Sequence, residues 1–233
     1  MRKNLCRRKT VRRPVTGLPR RTLAALAAVV LLAAAPTAAA HASTPPPPAS
    51  AQGLRTFQQS YGLAPTGQVD TATAHLLKTA PDSHLRAAFA DPSDLGPEQL
   101  AHARTVIGVG KGADIPEQGQ VIALMTAMQE SKFVNYTTPV DHDSLGIFQQ
   151  RPSMGWGTPK QITHVPTASK SFYGLPSPTT NPGLLQIKGW QSMEPGKACQ
   201  AVQRSAYPDR YAQWEGFARK LLEREGPTVD PIG

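Results

Sequence analysis

The chain has 233 residues, with 25 Lys+Arg against 16 Asp+Glu and a sequence pI of about 9.8. Nine of the basic residues (Arg2, Lys3, Arg7, Arg8, Lys9, Arg12, Arg13, Arg20 and Arg21) stand near the start, and residues 1–42 hold no acid. Residues 43–233 are therefore balanced, 16 basic against 16 acidic, which excludes a nucleic-acid role built on a basic surface.

The basic start runs into "TLAALAAVVLLAAAPTAAAHA", broken by Pro36 and closed by Ala40-His41-Ala42. This is the layout of a secretory signal peptide over residues 1–42, removed on export and leaving no stable membrane insertion. "PRRTLAA" at Pro19–Ala25 is compatible with the twin-arginine route as well as the general one. Cys6 leaves with that segment, so Cys199 stands alone, no intramolecular disulfide is expected, and an apolar core must hold the fold. His75, His84, His102, His142 and His164 show no paired ligand spacing, so neither metal nor cofactor is expected.

Residues 43–52 read as a Pro-rich extended spacer. Over residues 53–80, Leu54, Phe57, Gln58 and Tyr61 have helical spacing, "GLAPTG" is turn chemistry, and Asp70 or Thr71 starts a second short helix with Ala74, Leu76 and Leu77. The stretch "FQQSYGLAPTGQVDTATAHLL" resembles the small helical peptidoglycan-binding domain found on cell-wall enzymes. Prolines stand where that family's first helix would lie, so the module is partial and its binding is left open. Residues 81–94 read as a linker with some helical tendency.

From residue 95 to 224 the pattern is that of one domain. Asp94 or Gly96, just before Pro97, is expected to start a helix through about Ile107, with "GVGKGADIP" breaking it. Asp114 is expected to cap the next helix, with Pro116 in its first turn and Glu117 closing a capping box. Val121, Ile122, Met125 and Met128 form its apolar stripe, while Ala123, Ala127 and Glu130 share a small-residue face. Fraying is expected near Lys132-Phe133. "SLGIFQQR" suits a further helix or a short strand, and two C-terminal helices are expected, Lys197–Tyr207 and Tyr211–Glu223. Residues 225–233 read as a tail.

Glycoside cleavage needs a carboxylic acid still protonated near neutral pH, and burial at a helix end raises a glutamate's pKa for that task. Glu130 suits this, flanked by Met128 and Phe133 and placed where the helix dipole opposes ionisation. The spacing alone does not separate an acid catalyst from an ordinary helix-end residue. The order "QES", Asn135, "DSLGIFQQRP" and "AVQRSAYPDRY", however, resembles soluble lytic transglycosylases and goose-type lysozymes. Secreted actinobacterial proteins carry similar domains with "SLGIFQQRPSMGWGTPKQI" nearly intact.

That resemblance implies a mainly α, lysozyme-like α+β fold: a helical domain with a short hairpin or loop flanking a glycan cleft, beside a small helical N-terminal module. It implies a monomeric, secreted, wall-associated muramidase acting on the β-1,4 bond between N-acetylmuramic acid and N-acetylglucosamine in peptidoglycan strands. Glu130 would be the general acid, with Ser131, Gln149, Gln150 and Tyr207 toward substrate. Trp156 is either a sugar platform or a packing anchor. Asp143, or else Asp141, is the candidate second carboxylate; without one, the 1,6-anhydro-forming route is expected. Departures from the family pattern are Pro208 in place of asparagine, an insertion at "SPTTNPGLLQIKGW" and Phe148 in place of methionine. The rival reading is a non-catalytic peptidoglycan-binding protein. A Cys-His peptidase fails because no histidine follows Cys199, and a zinc peptidase fails because "DHDS" lacks a second ligand half.

Overall fold

The computed structural model describes residues 50–139 and 141–233. The segment expected to be a signal peptide and all but the end of the expected Pro-rich spacer lie outside the described residues. Among the described residues the protein is mainly helical and holds no strand. In "SLGIFQQR", where a further helix or short strand was expected, the described residues form a tight loop closed by an isolated antiparallel bridge, Leu145 to Gln150.

Helix α1 (Gln52–Ser60) forms on the predicted spacing and buries Leu54, Phe57 and Gln58. Asp70 caps α2 (Thr71–Thr79), its carboxylate accepting from the Thr73 amide at 2.7 Å. Gln58 is wholly buried and holds the intervening turn, donating to Gln68 O at 2.8 Å and accepting from Gly67 N at 2.9 Å.

The stretch expected as a linker is instead part of the core. It folds as α3 (Asp82–Ala88) and a 3-10 turn, Pro92–Asp94, and buries Leu85, Ala88 and Phe89. These residues join one apolar cluster that runs from Leu54 to Leu221, so the small helical segment and the larger helical part share a core.

Helix α4 (Pro97–Gly112) runs a full turn past the expected stop at Ile107. Its glycines cost helix propensity but admit close neighbours. Ile232 lies against the faces of Gly108 and Gly112, and its amide donates to Gly108 O at 2.8 Å. Tyr173 and Gln120 approach at Gly110. The chain after residue 224 is thus packed structure, with Lys111 Nζ donating to Gly226 O at 3.0 Å.

Helix α5 (Glu117–Ser131) is the centre of the fold, buried on nearly all sides from Val121 to Met128. The expected cap is absent: Pro116 occupies the N-cap position without a side-chain bond, and Asp114 adopts a left-handed turn at φ 50°. The helix ends where expected, through two successive left-handed residues, Lys132 (φ 56°) and Phe133 (φ 60°). Around it pack α4, α7 (Val165–Tyr173), α8 (Pro195–Gln203) and α9 (Glu215–Glu225), with α6 (Pro159–Ile162) leading into α7. The two C-terminal helices are shorter than expected. Left-handed Arg204 stops α8, and two 3-10 turns, Pro208–Arg210 and Ala212–Trp214, carry the chain to α9.

Cys199 is fully buried in α8, with its thiol pushed up to about 12 by desolvation, and it behaves as a small apolar residue. No helix among the described residues is long and apolar enough to cross a membrane.

Candidate functional site

A cleft of about 510 Å³ opens at the C-terminal end of α5. Its floor is that helix end, with Gln129, Glu130 and Lys132. One wall is the loop after α5, with Asp141, His142, Ser144, Gln149, Gln150 and Arg151, extended by Met154 and Trp156. The end of α8 and the following residues form another, from Val202 to Tyr207 and on to Arg210. Leu77, Lys78 and Leu85 from α2 and α3 close the remaining side.

Glu130 sits in the last turn of α5, half-buried, and lines the cleft. Desolvation raises its pKa, and four groups act the other way: a hydrogen bond from Tyr211, the nearby Gln203 amide, and the charges of Lys132 and Lys78. Tyr211 is the closest of them. Its hydroxyl, with no solvent contact, donates to Glu130 Oε1 at 2.6 Å. That leaves Oε2 to carry a proton toward the cleft. The phenol's own pKa is driven far up, first by burial and then by the Glu130 charge, so Tyr211 is a fixed donor.

Lys132 is 2 % exposed. Its ammonium donates to Gln129 O at 3.0 Å and lies 5.4 Å from the centre of the Trp214 ring. Burial lowers its pKa to about 8, against the opposing pull of Glu130. Gln129 is held by Trp214 Nε1 at 2.9 Å and Gln213 Nε2 at 3.0 Å, which fixes the last turn of α5 against the 3-10 turn before α9.

The structure separates the residues expected to act together. Ser131 is buried, and its hydroxyl donates to Ile147 O at 2.7 Å and Ala127 O at 3.1 Å. It ties the helix end to the loop and does not line the cleft. Asp143 also lies outside the cleft lining, with both carboxylate oxygens engaged: Oδ1 accepts from Arg151 Nε at 2.6 Å and Oδ2 from Ser153 N at 2.7 Å. The Arg151 guanidinium and the Ser153 amide hold that carboxyl well below the usual range. Asp141 does line the cleft, at its exposed rim, paired with His142 Nδ1 at 2.7 Å.

Gln149 and Gln150 both face the cleft and differ in kind. Gln149 takes a left-handed conformation (φ 50°), donates to Gly146 O at 2.9 Å, and accepts from Lys78 Nζ. Gln150 is 2 % exposed; its amide nitrogen donates to Ala168 O at 3.3 Å, while its Oε1 is buried with no partner among the described residues. An unpaired buried carbonyl facing a cleft is an acceptor awaiting a donor. Tyr207 is 64 % exposed at the rim, with the Arg210 guanidinium 5.4 Å from its ring centre. Trp156 is half-buried, packed in part on the core, and it also lines the cleft.

Tyr211, Lys132, Gln203 and Lys78 are site residues that the sequence reading did not single out. The one available signal for Tyr211 was a hydroxyl in an otherwise apolar helical row, which demands a buried acceptor. Lys78 carried none, because its position follows from how α2 packs. Among the described residues no group of three or more His, Cys, Asp or Glu is placed to hold a metal ion. The chain matches no protein-family model, and no curated protein shows significant similarity to it.

Proposed function

We propose that this protein is a secreted peptidoglycan muramidase with a lysozyme-like domain, cutting the β-1,4 bond between N-acetylmuramic acid and N-acetylglucosamine with Glu130 as the acid. The observation that carries the reading is Glu130 itself: a carboxyl with raised pKa at a helix end, hydrogen-bonded by Tyr211 and lining a cleft. The resemblance of "QES", "DSLGIFQQRP" and "AVQRSAY" to lytic transglycosylases and goose-type lysozymes supports the substrate class. The basic and apolar start of the chain supports export.

The geometry favours the anhydro-forming route. Retaining and inverting glycosidases need a second carboxyl about 5–9.5 Å from the first. Asp143 is committed to Arg151 and Ser153, and Asp141 is exposed at the rim with His142. Glu130 then serves alone. Its Oε2 proton passes to the glycosidic oxygen as the C1–O bond breaks. The 6-hydroxyl of the same sugar attacks C1, and the hydroxyl proton returns to the carboxylate. Lys132, Lys78 and the Tyr211 hydroxyl stabilise the carboxylate between these two transfers.

The test treats purified peptidoglycan with the chain and with Glu130→Gln, and reads the released fragments by mass spectrometry. Glu130-dependent release of 1,6-anhydro ends is expected. Reducing ends would overturn the single-carboxylate route. Binding without any Glu130-dependent release would leave the rival reading, a non-catalytic glycan-binding protein.

A further inference from the structure

We propose that Lys78 forms an anion subsite in the cleft, taking a carboxylate carried by the bound glycan, so that the N-terminal helical segment selects substrate. The subsite rests on reading the cleft as a glycan site. Lys78 closes the last turn of α2 and reaches Gln149 across the cleft, spending one of its three N–H donors on Oε1 of that residue. Its ammonium lies 5.1 Å from the centre of the Tyr136 ring, so an aromatic face and an amide hold it in place. No carboxylate among the described residues pairs with it, and Asp141 and Glu130 act on it only at longer range. Two cleft arginines behave differently, since Arg151 is taken by Asp143 and Arg210 by Asp82. Arg204, at the end of α8, joins Lys78 as a cleft cation without a carboxylate partner among the described residues.

A lysine at an exposed helix end ordinarily extends into water. This one is half-buried over a ring, lines the cleft, and has one hydrogen-bond partner among the described residues for its three donors, an arrangement suited to an incoming anion. A neutral N-acetylglucosamine oligomer offers it only uncharged oxygens and no anion to pair with. A muramyl glycan offers a carboxylate in one of two places: on the stem peptide when that is attached, or on the lactyl ether when the stem is removed.

Binding by the full chain carrying Glu130→Gln is measured by calorimetry with three probes: muramyl glycan bearing stem peptides, the same glycan with stems removed, and a neutral β-1,4-linked N-acetylglucosamine oligomer. Adding Lys78→Gln is expected to weaken at least one anionic probe about tenfold at low salt and to leave the neutral oligomer within about twofold. Adding Lys78→Arg instead is expected to restore most of the affinity, and the preference for the anionic probe is expected to shrink as salt rises. Whichever anionic probe responds identifies the carboxylate. Equal weakening of all three probes, no effect on any, or no binding by any overturns the subsite. Selection of an anionic probe without Glu130-dependent release keeps the subsite and overturns the muramidase reading, whereas release with no Lys78 effect does the reverse.

Discussion

Tyr211→Phe removes one oxygen from the interior and leaves the ring in place. The lost group is the O–H that donates to Glu130 Oε1 at 2.6 Å. A hydrogen bond to a charged group is worth about 1.5–3 kcal/mol. Because the phenol bonds the carboxylate more strongly than the carboxylic acid, most of that value belongs to the ionised state formed between the two proton transfers. At about 1.4 kcal/mol per decade, kcat should fall roughly 10–100-fold. The pH dependence has a definite sign. Tyr211 lowers the Glu130 pKa against desolvation, so its loss raises that pKa further, and the limb of the rate profile set by Glu130 moves to higher pH. The assay is the initial rate of fragment release from soluble peptidoglycan between pH 4 and 9, with thermal unfolding alongside. A variant that folds, retains its rate within about twofold and keeps the same pH profile would refute the argument, since it would mean that Tyr211 neither orients nor tunes the acid.

Two further predictions concern carboxylates outside the cleft. Asp143→Asn should retain turnover within a few fold, where loss of a general base costs about 10²–10⁴; a loss of that size would restore Asp143 as the second carboxylate. Its effect should appear instead in stability. The folded carboxyl is held below its ordinary value of 3.8, so its contribution is present above that pH and disappears as pH falls toward the folded value. Melting temperatures of wild type and Asp143→Asn should therefore differ at pH 7 and converge in acid. Glu225 is 0 % exposed and clamped by Arg104 Nε at 2.8 Å and Arg224 Nε at 2.6 Å. Glu225→Ala leaves both guanidinium groups without that partner; since each still reaches water, the cost sits at the low end of the range for broken buried pairs, about 3 kcal/mol by chemical denaturation. A cost below about 1 kcal/mol would show that the clamp is not stabilising.

What the sequence determined by itself was local and periodic. The 3.6-residue spacing of Leu54, Phe57 and Gln58, the start of α2 at Asp70 or Thr71 and the apolar stripe of α5 were legible because each depends on neighbours within one or two turns. Glu130 was legible as well, as a carboxylate near a helix end followed by a recognisable loop. Local rules misread the chain where distant segments overrule them. The glycines of α4 read as a break, yet they are the surface on which Ile232 and Tyr173 pack, and that packing outweighs their propensity cost. Residues 81–94 read as a linker, since three buried side chains in a short polar stretch show no long period, yet Leu85 and Phe89 sit in the common core.

The site shows the same division. Ser131 and Asp143 stand beside Glu130 and the loop motif in sequence, but their polar atoms are consumed by backbone and Arg151 contacts. Tyr211 and Lys78 stand 81 and 52 positions from Glu130, and the packing of α2, α5 and the turn before α9 brings them to it. The carboxylate was written in the sequence. Which groups orient it, charge it and wall its cleft was decided by helix packing, because desolvation and hydrogen-bond geometry depend on separations that the linear order of residues does not encode.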